Sequence, residues 1–143
     1  MISQCIIAQL NKFFPDYDIY GEKVRQGFEE PCFFVQILPS KQEKELQSYR
    51  REEMFDIQYF LDEFEEDANA KYEAMGNQLF QILEYLPIAD GKLLRGLDMS
   101  YQIIDDVLHF NVRYEFAFHD IATAEKMKAL DIKESVKNGE SEK

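Results

Sequence analysis

The sequence predicts an α+β fold, in which an antiparallel or mixed sheet of about four to six strands carries two main helices on one face. Two segments, residues 2–14 and 67–86, place apolar residues at three- and four-residue steps, which is typical of amphipathic helices. Other segments alternate apolar and polar residues, which is typical of half-buried strands. One sheet with both helices on the same face buries all of these apolar surfaces in two layers.

The first helix is predicted over residues 2–14, followed by a short strand. Pro15 ends the helix, because proline cannot continue the hydrogen-bonded turn. Tyr17 and Ile19, with Val24 as a further candidate, fit a first strand that precedes a turn at Gly27. The apolar stripe of the helix consists of Ile2, Cys5, Ile6, Gln9, Leu10 and Phe13.

Two central strands are predicted at residues 32–38 and 55–62. The first is rich in Phe, Val and Ile, which suit a pleated surface, and the second alternates apolar with polar residues. The polar, charged connection over residues 39–53 is longer than an ordinary hairpin loop. We therefore expect either that the strands extend into it as a projecting arm, or that the loop contacts neighbouring proteins.

The second helix is predicted over residues 67–86, with Pro87 ending it. Acidic residues 62–67 precede it, where the helix dipole favours negative charge. Gly76 weakens the helix and predicts a close packing contact. Its apolar stripe consists of Tyr72, Met75, Leu79, Ile82, Leu83 and Leu86.

A hairpin closes the predicted domain. Residues 97–103 and 108–118 alternate apolar with polar side chains, and Asp105 and Asp106 form the turn between them. We expect one domain over residues 1–119 and a C-terminal extension over residues 120–143. The extension has a weak helical pattern and is then expected to be disordered, as polar termini usually are.

Composition restricts the class of protein. The chain has 143 residues and a net charge of −12, and residues 1–119 carry 22 acidic and 11 basic residues. Such acidity argues against affinity for a phosphate backbone and predicts no specific nucleic-acid binding. No apolar run reaches the length needed to span a bilayer, and residues 1–5 do not resemble a signal peptide, so we expect a cytoplasmic protein without a membrane partner.

The polar residues predict neither an enzyme nor a cofactor or metal site. Cys5 and Cys32 lie among apolar neighbours and are expected to be buried free thiols. His109 is expected to be an exposed residue on the polar face of a strand, and His119 to lie at that strand's end. The acidic run 62–67 lacks the alternation and the central Gly of a calcium loop, and no nucleophile has an activating neighbour.

The mixed-charge connection carries the candidate contact residues. Arg50 and Arg51 lie beside Tyr49, but glutamates surround them, which is a poor footprint for nucleic acid. Pairing with a neighbouring subunit and a plain solvated loop are equally compatible with this pattern. The candidate interface residues are Lys41, Glu43, Lys44, Glu45, Tyr49, Arg50, Arg51, Glu63 and Glu66.

The chain resembles the tail-terminator, or tail-completion, proteins of phages and prophage-like elements of Gram-positive bacteria. The resemblance covers residues 1–119 and is carried by residues 19–34, by Tyr49 with Arg50 and Arg51, and by residues 55–60. It implies an α+β, tail-terminator-like fold. It also implies a virion structural protein that forms a hexameric ring on the head-proximal end of the tail tube. Such a ring stops tube polymerisation and supplies the head–tail joining surface.

The implied partners are further copies of the chain, the tail tube protein, and the sheath and head-connector or neck proteins. DNA would pass through the ring without being bound specifically. Two rival interpretations stay open at the level of the sequence. One is an acidic, DNA-mimic-like interaction or inhibitor protein, which would bind a basic host protein. The other is a different neck or baseplate component.

Overall fold

A computed structural model describes residues 2–21, 29–62 and 66–119 of the chain. Helix α1, Ile2–Phe13, begins the fold and places Ile2, Ile6 and Leu10 on its buried face. It ends before Pro15, as the sequence predicted. Strand β1, Asp18–Tyr20, follows. Val24 and Gly27, which the sequence associated with this strand and its turn, lie outside the described residues.

The main sheet has six strands. Four of them form its centre and one edge: β2 (Cys32–Ile37), β4 (Ser48–Phe60), β8 (Val107–Phe118) and β7 (Leu97–Ile104). The order is β1-β2-β4-β8-β7, and β3 (Lys41–Glu45) pairs with β4 in line with β2. All pairs are antiparallel except β1 with β2, so the sheet is mixed. This confirms the predicted α+β fold.

Both helices cover one face of this sheet, as predicted. Helix α2, Ala68–Leu83, packs Tyr72, Met75 and Leu79 into the same core that receives the buried face of α1. Alternate residues of the central strands, such as Phe55 and Phe110, supply the sheet side of that core. Among the described residues no helix lies on the other face, and its side chains are those that alternate with the core residues.

The predicted end of the second helix was wrong. The helix stops at Leu83, and Tyr85–Pro87 form a short strand, β5, that pairs with β6, Leu93–Arg95, in a separate two-stranded sheet. A 3-10 helix, Ala89–Gly91, joins these two strands. The buried residue Leu86 fits the helical spacing, but it reaches the core from β5. Its apolar character alone could not distinguish these two placements.

Other local predictions gave mixed results. Asp105 and Asp106 form the predicted hairpin turn, with φ values of 51° and 62° that are typical of a two-residue primed turn. Gly76 makes the predicted close contact, because a Cβ there would lie 2.6 Å from the ring of Tyr101. Cys32 is buried as expected, whereas Cys5 is only half-buried. Residues 120–143 lie outside the described residues, so the domain boundary and the C-terminal extension remain predictions.

In the described ranges neither helix is long and apolar enough to cross a lipid bilayer.

Candidate functional site

The long strand β4 connects two different ends of the sheet. Its 13 residues span about 40 Å at the usual rise of a strand. At the Ser48 end, β4 pairs with β3 on one side and with the last residues of β8 on the other. At the Phe60 end, it lies beside the start of β2 and the start of β8. We name residues 41–51 the hairpin end. We name the opposite region, around Phe60 and the start of β8, the cleft end, after the cleft described below.

The hairpin end is formed by the connection that the sequence left open between an arm and a loop. Lys41–Glu45 pair with residues 48–52 across a turn at Leu46 and Gln47, so the strands do extend into it. The extension is three strands wide, because Tyr49 pairs with Phe118 of β8. Leu46, at the turn, is 99% exposed. A single exposed apolar residue is common on protein surfaces, so it is the position of Leu46 at a projecting tip that makes it a candidate contact residue.

Ring and charge contacts hold the hairpin end together. The rings of Tyr49 and Phe118 stack with centroids 5.4 Å apart, and the guanidinium of Arg51 lies 5.3 Å from the Phe118 ring centroid. Arg51 Nε also donates to Gln42 Oε1 at 2.9 Å, and Arg50 pairs with Glu45. Each contact joins neighbouring strands, so the tip is presented on an ordered three-stranded support.

An ion-pair cluster lies at the inner boundary of the hairpin end, on the face without helices. Arg113 of β8 donates through Nη1 to Glu52 at 3.0 Å and pairs through Nη2 with Asp98 at 2.8 Å. It also contacts Glu115. Glu52 and Glu115 are directly opposite each other on β4 and β8, so without Arg113 their like charges would repel. The cluster therefore ties three strands together where the extension begins.

The cleft end carries an open cleft of about 530 Å³. Four exposed carboxylates line it, those of Glu30, Asp62, Asp105 and Asp106. Its remaining lining includes the half-buried side chains of Phe60, Leu61, Ala68 and Val107, exposed Asn69 and the buried ring of Tyr72. The Tyr72 hydroxyl donates to the backbone carbonyl of Asp106, which fixes the turn against α2. Burial is the main cause that raises the pKa of Tyr72.

The candidate interface residues from the sequence are not one cluster. Seven of them, Lys41, Glu43, Lys44, Glu45, Tyr49, Arg50 and Arg51, lie at the hairpin end. Glu66 is exposed two residues before Ala68, which lines the cleft. Glu63 lies outside the described residues. The structure thus separates these candidates between the two ends of β4.

Sequence reasoning missed Leu46 and the cleft. Leu46 is an isolated apolar residue in a polar, charged stretch, and that contrast was a usable signal. The cleft had no such signal, because residues 30, 60–62, 68–72 and 105–107 come from four separate parts of the chain. Only the pairing of the strands brings them together.

A polar cluster on the face without helices was also missed. His109 Nδ1 lies 3.0 Å from Asp56 Oδ2, and Gln58 Nε2 donates to Gln36 Oε1 at 2.9 Å and to Asp56 Oδ2 at 3.1 Å. His109 does lie on the polar face of its strand, but the prediction that it is exposed was wrong, since its side chain is 22% exposed and contacts Asp56. His109 is opposite Gln58 on β4, and this register brings it beside Asp56.

The chemistry of this cluster is limited. An imidazole held by a carboxylate can serve as a base, but no Ser, Cys or Lys joins these four residues in the contacts that define the cluster. Cys32 is the buried thiol, and burial, followed by the charges of Glu30 and Asp18, raises its pKa to about 12, which keeps it protonated. Among the described residues, no group of three or more His, Cys, Asp or Glu side chains is arranged to hold a metal ion.

Comparison with known proteins identifies one family. A family model described as phage tail terminator protein matches residues 1–127, which is most of the chain and extends past residue 119. No curated protein matches the chain.

Proposed function

The chain belongs to a phage tail terminator family, and from this premise we propose that it forms a hexameric ring at the head-proximal end of a tail tube. In that position it stops tube polymerisation and provides the surface that joins the tail to the head. The observation that carries the proposal is the family match over residues 1–127. The family is structural, and its members work with other proteins of the phage tail or head.

The charge of the chain supports this role. A net charge of −12 disfavours lasting contact with the phosphate backbone of DNA. A ring on the tail tube must let DNA pass, so weak attraction is an advantage. Like charge also weakens association between free subunits, and a tube end supplies further binding energy. Free subunits are therefore monomeric or loosely associated, and the ring closes on its template.

The proposed mechanism needs no bond-making step. The partners are further copies of the chain, the tail tube protein, and the head-connector and, in contractile tails, sheath proteins. The finished product is a part of the virion. The described polar clusters serve structure in this proposal: Arg113 holds the inner boundary of the hairpin end, and Asp56 with His109 links the central strands.

Tube growth in vitro tests the proposal. Purified tail tube protein is polymerised with and without an excess of the chain, and tube lengths and ends are recorded by negative-stain electron microscopy. We expect shorter tubes with an annular density at one end, and mass measurement of detached rings should give six copies. An unrelated protein of similar size and charge controls for nonspecific adhesion.

Bare tube ends and unchanged tube lengths at high excess would reject the proposed function. Binding to a basic host protein in place of the tube would favour an inhibitor. Rings of another copy number would reject the hexamer and leave the terminator role in place.

A further inference from the structure

The turn of the hairpin end places one apolar side chain, that of Leu46, in solvent. Leu46 is 99% exposed and lies between Glu45 and Gln47, both exposed. Leu46 is held by paired strands, since β3 and β8 flank the start of β4. The stacked rings of Tyr49 and Phe118 join β4 to β8 close to the tip. An apolar residue on such a support is suited to insertion into a recess on another molecule.

The cleft at the opposite end of β4 has matching chemistry. Phe60, Leu61 and Val107 are half-buried there and offer apolar surface to a leucine side chain. The volume of about 530 Å³ is several times that of a leucine side chain, so a hairpin tip with its flanking residues can enter.

The charges of the two ends are complementary. Residues 41–51 contain four bases and two acids in a chain whose net charge is −12. The cleft lining contains four carboxylates and no base. Lys41 and Lys44 are exposed on the strand that leads to Leu46, and Arg50 already forms an ion pair with Glu45. Lys41 lies opposite Glu52 at the far end of β3, whereas Lys44 is two residues from Leu46. Lys44 is therefore the cation that can approach the carboxylates of a neighbouring cleft.

We propose that neighbouring copies of the chain join head to tail, with the hairpin end of one copy bound in the cleft of the next. Leu46 contacts Phe60, Leu61 and Val107, and Lys44 pairs with the carboxylates around them. Because the two surfaces lie at opposite ends of one strand, a single copy cannot satisfy both, and each bound copy offers a new cleft. Such a contact propagates from copy to copy and forms a ring when the rotation closes, so this inference rests on the proposed ring and supplies its subunit contact.

Mixing of two inactive variants tests this contact directly. Leu46→Asp removes the apolar tip and leaves its cleft intact. Glu30→Lys with Asp62→Lys removes the net negative charge of the cleft lining and leaves the hairpin end intact. Each variant alone should remain monomeric in sedimentation velocity at concentrations where the wild type associates. Their equimolar mixture should form a dimer and stop there, because only one productive contact exists in the pair.

The expected loss follows from the buried area. Removal of a leucine side chain from a contact weakens association by about tenfold or more, before the added charge of aspartate is counted. Leu93→Asp is the matched control, since Leu93 is 58% exposed and lies in β6, outside both surfaces. Glu73→Lys with Glu84→Lys repeats the charge change on residues that do not line the cleft. Both controls should associate as the wild type does.

Folding of each variant is checked by its thermal unfolding, which should match the wild type because the substituted residues at the hairpin end and cleft are exposed. The inference is overturned if Leu46→Asp associates as strongly as the wild type, or if the mixture stays monomeric. It is also overturned if the mixture grows beyond a dimer.

The two proposals fail in different ways. If the wild type binds tube ends as rings and Leu46→Asp does the same, the head-to-tail contact is wrong and the terminator role stands. If the complementary variants form a dimer but the wild type leaves tube ends bare, the contact is right and the proposed function is wrong. If the wild type does not associate in solution or on tubes, both are rejected.

Discussion

Replacement of Arg113 by methionine should destabilise the fold by removing the guanidinium that pairs with three carboxylates. Arg113 is 18% exposed and donates to Glu52 at 3.0 Å, while Glu115 contacts the same guanidinium. Methionine keeps much of the apolar stem, so the change isolates the charge. It leaves Glu52 and Glu115 facing each other across β4 and β8, where like charges repel.

The size of the effect follows from the exposure of the partners. An exposed ion pair contributes about 0–1 kcal/mol, and breaking a fully buried pair costs about 3–5 kcal/mol. The side chains of Glu52 and Glu115 are 27% and 29% exposed, between these limits, and Asp98 at 71% adds little. We therefore expect a loss of about 2 kcal/mol in the free energy of unfolding.

Urea unfolding monitored by circular dichroism measures this loss without adding salt. Arg50→Met is the matched control, because Arg50 pairs with Glu45 at an exposed position and its loss should cost at most about 0.5 kcal/mol. Adding Glu52→Gln and Glu115→Gln to Arg113→Met should recover at least half of the deficit. The deficit should also shrink between about 0.05 M and about 1 M NaCl as the repulsion is screened. A deficit equal to that of the control, or one unaffected by both the glutamines and the salt, would refute the electrostatic explanation.

Three further perturbations probe the core, each measured by equilibrium unfolding. Gly76→Ala should lower the free energy of unfolding by about 1–2 kcal/mol, because the alanine Cβ would lie 2.6 Å from the Tyr101 ring. In a Tyr101→Ala background the same substitution should carry no penalty, and an unchanged penalty would contradict the steric explanation. Tyr114→Phe removes the 2.7 Å hydrogen bond from the buried hydroxyl to the carbonyl of Leu83 and should cost about 1–3 kcal/mol; a cost near zero means that this carbonyl finds another donor. Burial raises the pKa of Cys32 to about 12 in the folded state, above that of the unfolded chain, so its contribution is complete below pH 9 and is lost as pH rises from 9 towards 12. Over that range the wild type should lose up to about 1.4 kcal/mol per pH unit more than Cys32→Ala, and parallel pH profiles contradict it.

The elements with strong periodicity and clear ends could be predicted from the sequence. Pro15 fixes the end of helix α1, so the predicted end is within one residue of the observed one at Phe13. Strand β8 keeps its alternation of buried and less buried residues over most of its 12 residues. Both signals are local, so a linear reading captures them. The small β5–β6 sheet was missed because Leu86 fits the stripe of the preceding helix as well as it fits a strand. Only the pairing of Leu86 with Leu94 decides between a helix and a strand, and that pairing lies outside the segment whose periodicity was read.

The candidate site was predictable only in part, for a related reason. The mixed-charge connection was identified from its composition, and its strands do extend as an arm. Its orientation relative to the rest of the molecule depends on the pairing of Tyr49 with Phe118, nearly 70 residues away in the chain. The cleft also depends on contacts between separate segments, such as the one between Tyr72 and Asp106, which are 34 residues apart. Side chains that meet only through the register of a sheet leave no pattern in a single segment.

The pleat of β4 constrains how such a subunit could be resized. Each residue added to a strand reverses the side chains beyond it, so a single insertion in β4 between Phe55 and Tyr49 would turn Tyr49 to the opposite surface, away from Phe118. A pair of residues, matched by a pair in β8, would restore the alternation and lengthen the subunit by about 7 Å. If six copies are joined through the extremities of this strand, each step of about 7 Å per subunit changes the circumference of the ring by about 40 Å. Relatives fitted to tubes of wider calibre should then differ from this chain by even numbers of residues in both strands.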